Sequence, residues 1–382
     1  MTDLFSPFTL KGVTLRNRIA MSPMTMYRSV DGHMSDFHSM LAGSRAAGGF
    51  GLVFLEQIAI QPDGRTSASC AGIWDDAHIP GLKRVTTLVK DMGAVAAIQL
   101  GHTGRRGSEK KPWHGKQQLP ASDPDGWQVR GPSPIPHGRR YTLPVRELTI
   151  AEIQDIHRAY ADAARRAHAA GFEWLEMHFA HGYLGSAFFS PLANQRTDVY
   201  GGSLENRLRF HREALDAVRA VWPSHLPLTM RLGSDDFNAQ GIQFEDALWA
   251  IAELKQHGLD LADISLGMNT DDMKDVPFDQ LGFMVERAAH VRRECGLPVG
   301  VSWNLGVPEV ANRVIRDELA DIVLLGRPAL SNPHWPVYAA RELGHADPFS
   351  LVPEDWAWWI RTRPGPEGSL GWPLPSHKLA AD

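Results

Sequence analysis

Residues 174–184 read Trp-Leu-Glu-Met-His-Phe-Ala-His-Gly-Tyr-Leu, and residues 196–210 read Arg-Thr-Asp-Val-Tyr-Gly-Gly-Ser-Leu-Glu-Asn-Arg-Leu-Arg-Phe. The first run opens as a short apolar strand, Trp174–Phe179, that ends in a loop. The second enters a segment, Ser203–Trp222, whose apolar residues recur at helical spacing. Strand followed by helix is the unit, and it repeats outward in both directions. Further strands are expected at Arg18–Met24, Leu52–Ile60, Ala94–Leu100, Leu228–Gly233, Leu261–Gly267, Pro298–Trp303 and Asp321–Arg327. Between them, Ile150–Ala170, Phe244–Gln256, Phe283–Cys295 and Pro308–Glu318 carry helical patterns. Eight such units argue for an α/β fold of the closed (β/α)8 TIM-barrel type rather than an open sheet.

Three regions fall outside the repeat. Phe8–Leu15 alternates around Lys11-Gly12, as a small N-terminal hairpin lid closing the barrel floor would. Gly101–Arg146, rich in Gly, Pro, Trp and His, follows the third strand and is long enough to be a functional cap. The end of the chain is rich in Pro and Gly and reads as an arm or a disordered segment. The expected organisation is one domain over residues 1–360, with 101–146 as the capping insertion and 361–382 as a tail.

The totals restrict the function classes. With 382 residues, 43% hydrophobic and 22% charged, the chain can bury a large core. A formal charge of −5, from 39 basic and 44 acidic residues, offers no basic field for nucleic acid. No apolar run reaches membrane-spanning length, and the opening Met-Thr-Asp-Leu-Phe-Ser-Pro lacks the regions of a signal peptide. Only Cys70 and Cys295 are present, which suits a reducing cytoplasm and leaves too few thiols for a cysteine-ligated iron–sulfur cluster.

In a barrel of this type the active site lies at the C-terminal ends of the strands. Those ends carry Ser22-Pro23-Met24-Thr25-Met26-Tyr27, Gln57-Ile58-Ala59, Gln99-Leu100-Gly101-His102, His178-Phe-Ala-His181, Arg231-Leu-Gly233, Ser302-Trp303-Asn304 and Gly326-Arg327. His178, His181 and Tyr183 together supply two imidazole N–H donors and a phenol, enough to hold and protonate a carbonyl compound. Other readings stand beside this one. The histidines can be buried and satisfied, or they can bind a metal with Glu176, two residues before His178 on the same strand face. The His-Glu-x-x-His helix motif of zinc proteases is absent. Arg231 can be half of an ion pair, Gln99 can satisfy a neighbouring backbone group, and Tyr183 and Tyr27 can be packed or exposed loop aromatics. Gly326-Arg327 fits a phosphate grip at the last strand, or a packing glycine followed by a solvated arginine.

The constellation resembles the Old Yellow Enzyme family of FMN-dependent ene-reductases, and within it the bacterial xenobiotic-reductase, or thermophilic-like, branch. The resemblance runs from Leu4 to about Trp359. It rests on the run Arg196-x-Asp198-x-Tyr200-Gly201-Gly202-Ser203-x-Glu205-Asn206-Arg207-x-Arg209-Phe210, with Arg16-Asn17-Arg18-Ile19, Cys70-Ala-Gly-Ile-Trp74 and His181-Gly-Tyr183. It implies that Arg231 approaches the flavin N1/O2 edge, where reduction creates negative charge. It also implies that Gln99 hydrogen-bonds the flavin pyrimidine, that Pro23, Met24, Thr25 and Ala59 contact the ring with Ser22 at the start of that segment, and that Gly326 and Arg327 hold the phosphate. His178 and His181 would bind the substrate oxygen, Tyr183 would act as general acid, and Tyr27 and Trp303 would line the substrate pocket. Trp359, in Trp356-Ala-Trp358-Trp359-Ile360, would reach a neighbouring subunit's site.

Thr25 departs from the branch, most of whose members carry a cysteine there that tunes the flavin; retained activity with a shifted redox potential is expected. The implied activity is NAD(P)H-dependent reduction, by ping-pong hydride transfer, of the activated C=C bond in α,β-unsaturated carbonyl or nitro compounds. Non-covalent FMN would be the cofactor, NADPH or NADH the reductant, and a homodimer or higher homo-oligomer the assembly. A shared pocket for nicotinamide and substrate explains why no Gly-x-Gly-x-x-Gly follows a strand. The rivals are the related dienoyl-CoA reductase and amine dehydrogenase group, with its cluster and extra domains; a metal-dependent barrel lyase or hydrolase using His178, His181 and Glu176; and a catalytically dead scaffold.

Overall fold

The computed structural model describes residues 2–115, 117–138, 140–362 and 370–371. Most of the expected tail, 361–382, lies outside these residues.

Two strands, β1 (Phe8–Leu10) and β2 (Val13–Leu15), pair antiparallel with Phe8 opposite Leu15. Eight parallel strands then close a barrel: β3 (Ile19–Met21), β4 (Leu52–Ala59), β5 (Val95–Gly101), β8 (Trp174–Phe179), β9 (Leu228–Gly233), β10 (Leu261–Ser265), β11 (Val299–Val301) and β12 (Ile322–Leu325). The ring shuts where Val323 of β12 pairs with Ile19 of β3. The expected (β/α)8 barrel is therefore the observed fold. The strands read as continuous apolar runs because both faces are covered; all eight residues of β4 are buried. The remaining short strands, β6 (Arg130–Gly131) and β7 (Arg146–Glu147), pair in the segment after β5.

Helices wrap the barrel: α1 (Asp36–Ala47), α2 (Ile79–Asp91), α3 (Ile150–Ala169), α4 (Leu184–Phe189), α5 (Leu204–Arg219), α6 (Phe244–Gln256), α7 (Val285–Cys295), α8 (Pro308–Arg316), α9 (Arg327–Ser331), α10 (Trp335–Glu342) and α11 (Glu354–Thr362). Their starts are local chemistry. Thr149 and Glu152 form a reciprocal capping box at α3, and Ser203 accepts from the Asn206 N–H at α5.

Four strands end two or three residues before the sequence pattern does, at Met21, Ser265, Val301 and Leu325. Pro23 has no N–H to give a ladder, and Trp303 and Asn304 turn at φ +77° and +54°. Most of the residues trimmed from the sheet, among them Ser22, Pro23, Met24, Ser302, Trp303, Gly326 and Arg327, line the cleft at the C-terminal ends of the strands.

The hairpin sits at the N-terminal ends of the strands. The Gly12 N–H donates to the His225 carbonyl at 2.7 Å, and Lys11 pairs with Asp260 at 3.1 Å. A Cβ on Gly12 would stand 2.9 Å from that carbonyl oxygen, so the close approach requires glycine.

At the opposite end, two buried arginines fasten the segment between β5 and α3. Arg105 donates to the carbonyls of Ile135, Pro136 and Asn269, and Arg196 donates to those of Pro132 (2.9 Å) and Leu148 (2.6 Å). Loop carbonyls shut away from water need such donors. Arg196 is itself held by both oxygens of Asp198, at 3.0 and 2.6 Å.

Candidate active site

The C-terminal ends of the strands surround a cleft of about 1070 Å3. Eight residues expected from sequence line it: Ser22, Pro23, Met24, His181, Arg231, Trp303, Gly326 and Arg327. A Cβ on Gly326 would meet only Met24 Sδ, at 3.6 Å. Arg327 is tied across the cleft to Asn304 Oδ1 at 3.2 Å.

Arg231 is a buried cation fixed on three sides. Nη1 donates to Ser22 Oγ at 3.1 Å, Nη2 donates to Ser302 Oγ at 2.7 Å, and Nε stands 3.3 Å from Asp263 Oδ2. Buried charge is tolerated when paired in this way. The ion-pair reading and the cofactor reading are thus compatible: the pair lies below and the cleft above.

His178, His181 and Tyr183 come together. The His178 ring centroid is 4.9 Å from those of His181 and Tyr183, and His181 lies 6.4 Å from Tyr183. His181 adopts φ +59°, and Gly182 (φ +68°) presses so close to the Met268 carbonyl that a Cβ has no room. Backbone held in the left-handed region by a non-glycine residue marks stored strain. Burial drives both imidazole pKa values well below their usual range, and the Arg231 and Arg106 cations push the same way. Both rings are therefore neutral. The Ala180 N–H donates to His178 Nδ1 at 3.4 Å, which puts the ring proton on Nε2. His181 Nε2 shares a 2.8 Å hydrogen bond with Ser265 Oγ, which also accepts from the Trp303 indole at 3.1 Å. Burial raises the Tyr183 phenol, opposed chiefly by Arg106, so the phenol keeps its proton at neutral pH.

Other expected residues lie apart from the cleft walls. Gln99 is buried, and its amide donates to Glu176 Oε1 at 2.8 Å. Ala59 is buried at the end of β4, its N–H bonded to the Ala71 carbonyl, and Thr25 is half-buried on the loop after β3. Tyr27 (φ +57°) meets Trp113 of the cap edge-on at 5.6 Å. Trp359 is 70% exposed on α11 and contacts Trp358. The alternative metal reading requires His178, His181 and Glu176 to converge. Glu176 instead holds Gln99, His181 faces Ser265, and no group of three metal-ligating side chains occurs among the described residues.

Arg106 and Ser265 escaped the sequence reading. Arg106 donates to the His181 carbonyl and to Tyr141 Oη (3.4 Å), and lies 5.5 Å from the Tyr183 ring centroid. Nothing in the spacing of Gly104-Arg105-Arg106 reveals that the second arginine turns toward a loop 75 residues away.

A model of the NADH:flavin oxidoreductase / NADH oxidase family matches residues 3–345. The chain is 41% identical over 345 residues to an NADPH dehydrogenase of Geobacillus thermodenitrificans (strain NG80-2), covering 90% of this chain and 95% of that one. It superposes on an old yellow enzyme homologue from Zymomonas mobilis with a TM-score of 0.73 at 25% identity, over 97% and 99% of the two chains. A 2-naphthoyl-CoA reductase gives 0.80 at 26% identity over 91% of this chain; there the chain spans about half, 53%, of the longer protein.

Proposed function

Because the chain belongs to the NADH:flavin oxidoreductase / NADH oxidase family, the Old Yellow Enzyme family, we propose that this FMN-dependent NADH/NADPH oxidoreductase is an ene-reductase. The observation that carries the reading is the neutral His178–His181 pair beside a neutral Tyr183, next to a cleft that the fixed Arg231 cation lines. Neutral imidazoles donate hydrogen bonds to a carbonyl or nitro oxygen without placing full charges in a buried site.

The residues present fit FMN. Arg231 lies at the cleft with a guanidinium suited to the negative charge that forms on the N1/O2 edge. Gly326 and Arg327 offer an open glycine and a cation where a phosphate would lie. Ser22, Pro23, Met24, Thr25 and Ala59 would flank the ring, and Gln99 would meet its pyrimidine edge. When bound, FMN would supply the hydride chemistry for reducing the C=C bond of an α,β-unsaturated aldehyde, ketone or nitro compound at the expense of NADPH or NADH.

The protein's own work is placement. His178 and His181 hold the acceptor's oxygen. Tyr183, still protonated, gives its proton to the α-carbon; transfer from a phenol to a developing enolate is downhill. Trp303, fixed through Ser265 to His181, and Tyr27 would set the width of the pocket. One pocket would serve reductant and acceptor in turn, giving ping-pong kinetics. Trp359, solvent-exposed in the single chain, would complete a neighbouring subunit's site in a homodimer or higher homo-oligomer. The two cysteines are free thiols, in keeping with the cytoplasm proposed from sequence. No described helix is long and apolar enough to cross a membrane.

The test is the visible spectrum of the aerobically purified protein, followed by anaerobic titration with NADPH and then cyclohexenone. A yellow protein bleached by NADPH and recoloured by the enone is expected. A protein that bleaches but is recoloured only by oxygen refutes the ene-reductase reading.

A further inference from the structure

Beneath the mouth of the barrel, two carboxyl groups are buried beside a guanidinium that reaches the cleft. Glu176 on β8 is 1% exposed and Asp263 on β10 is 0% exposed. Arg231, on the strand between them, pairs in register with Asp263 and with His178, two residue pairs above the pairing of Glu176 with Thr229. The three groups form one cluster, and its charge is a matter of counting.

Arg231 Nε stands 3.3 Å from Asp263 Oδ2 as an ion pair, and its two terminal nitrogens donate to Ser22 and Ser302. Among the described residues no hydrogen-bond donor reaches either Asp263 oxygen within bonding geometry, so the cation is what supports that carboxylate. Glu176 forms no ion pair among the described residues; its Oε1 accepts one hydrogen bond, from the neutral Gln99 amide. The charged groups that act on it are Asp263 and Arg231, and the neutral His178 lies two residues on along the same strand. With both acids ionised, the cluster would hold a net negative charge out of water, with one carboxylate lacking a cation. A buried carboxyl in that position keeps its proton.

We propose that Glu176 is a protonated acid at neutral pH that positions Gln99, that Asp263 is the ionised counter-ion of Arg231, and that ionisation of Glu176 changes the charge beneath the flavin edge. Burial and the nearby Asp263 charge raise Glu176 to about 8, with Arg231 and the Gln99 hydrogen bond pulling back. The cluster is then formally neutral at pH 7 and carries one negative charge above about pH 8. The inference rests on the FMN reading for its redox consequence but not for the proton itself.

The redox consequence follows from linkage. Reduction would put negative charge at the flavin edge that Arg231 is proposed to face. An ionised Glu176 below would oppose that charge, so the reduced protein takes up one extra proton there, Glu176 carboxylate plus a solvent proton giving the carboxylic acid. Two electrons then enter with one more proton than the flavin alone requires. That is a tenfold change in the reduction equilibrium per pH unit, about 30 mV per unit for a two-electron couple.

Glu176→Gln separates the cases, because its side-chain carbonyl still accepts from Gln99 while the proton is gone. The first measurement uses flavin-free protein: infrared difference spectra between pH 6 and pH 10. Wild type should show the carbonyl band of a protonated carboxylic acid that vanishes with a midpoint at about 8, and Glu176→Gln should lack it. Asp263→Asn should move that midpoint down by removing the neighbouring negative charge. The second uses the holoprotein: its midpoint potential against pH should fall more steeply above about pH 8 in wild type, and the extra slope should vanish in Glu176→Gln. A missing band in wild type, or one that survives Glu176→Gln, overturns the protonation. A band that behaves as expected with equal slopes in the two proteins overturns the coupling to the flavin. A protein that takes up no FMN refutes the functional reading instead, and the infrared result still decides the proton.

Discussion

Lowering the pH from 7 to 5 should cost this fold several kcal/mol of stability, because it buries imidazoles that cannot be charged where they stand. Burial depresses His137 to about 2, with Arg106 and Arg105 pushing the same way, His157 to about 4, and His211 to about 3 with His157 adding to the effect. Each unfolded imidazole has a pKa near 6.5. Below that value the unfolded chain binds protons that the folded chain refuses, so stability falls as pH falls, and the loss begins at the unfolded value. Between about pH 6.5 and 5 each of the three contributes about 2 kcal/mol, or about 6 kcal/mol together. His178 and His181, depressed by burial and then by Arg231, add to the loss. Glu176 and Asp263 act in the opposite direction, since burial raises both and the folded state holds their protons more tightly than the unfolded one. Asp63 and Glu152, each lowered to about 2, contribute little until the pH falls below about 4.5. The assay is urea unfolding of the flavin-free protein, followed by far-ultraviolet circular dichroism at pH 7, 6 and 5. A free energy of unfolding that changes by less than about 1 kcal/mol across that range would refute the neutral-histidine argument, and with it the proposed hydrogen-bonding state of the substrate site. Glu176→Gln should steepen the acid loss.

Replacing His178 and His181 together by Ala should leave FMN bound but weaken phenol binding by at least about tenfold per lost hydrogen bond, seen as loss of the long-wavelength band in a phenol titration. Tyr183→Phe should slow reoxidation by an enone by about 10²–10⁴, while the rate of bleaching by NADPH in stopped flow stays within about twofold; slowing of both steps alike would remove Tyr183 from the proton-transfer role. Arg231→Met leaves Asp263 buried without its cation, so about 3–5 kcal/mol of stability should disappear, with weakened FMN retention measured by equilibrium dialysis. Trp359→Ala should alter the KM for bulky enones in an oligomer without changing the unfolding midpoint of the chain, since the indole is exposed; identical KM values would argue against a trans contribution.

The barrel was legible because a parallel strand covered on both faces is a run of apolar residues, and β4, β8 and β9 are buried from end to end. The strand ends were harder, since pattern alone does not show where a chain leaves its ladder. Pro23 offers a reason, but the left-handed turn at Trp303 is not encoded by residue type. Residue type gave His178, His181, Tyr183 and Arg231, because chemistry restricts which side chains can do such work. Partners distant in sequence stayed hidden. Ser265 joins Trp303 to His181, and Asp263 meets Arg231, through register across the barrel rather than through spacing along the chain. Sequence offers Gln99 the flavin pyrimidine or neighbouring backbone as a partner, yet in the structure its N–H is turned to Glu176, the carboxylate of the alternative metal reading that the geometry does not support.

The longest motif in the sequence contributes none of the proposed reacting groups, and this follows from how the site is built. Arg196 grips the Pro132 carbonyl of the cap, the Leu148 carbonyl just after it and both oxygens of Asp198, Tyr200 donates to Glu213 at 2.6 Å, Arg207 donates to the Phe189 carbonyl at 2.9 Å, and Ser203 caps α5. Together they fix the end of α4, the short helix that begins one residue after Tyr183, and tie it to the cap. Tyr27, His181, Trp303 and Asn304 all hold backbone conformations that cost a non-glycine residue energy. A loop in such conformations relaxes unless its surroundings determine it, and a phenol displaced by about 1 Å loses much of its effect on a proton transfer. The rigid lock is therefore the condition under which a strained His181–Tyr183 turn can keep its geometry. On this argument Arg196→Lys, which keeps the charge but loses the bidentate grip on Asp198, should impair the step that uses Tyr183 more than it impairs FMN binding.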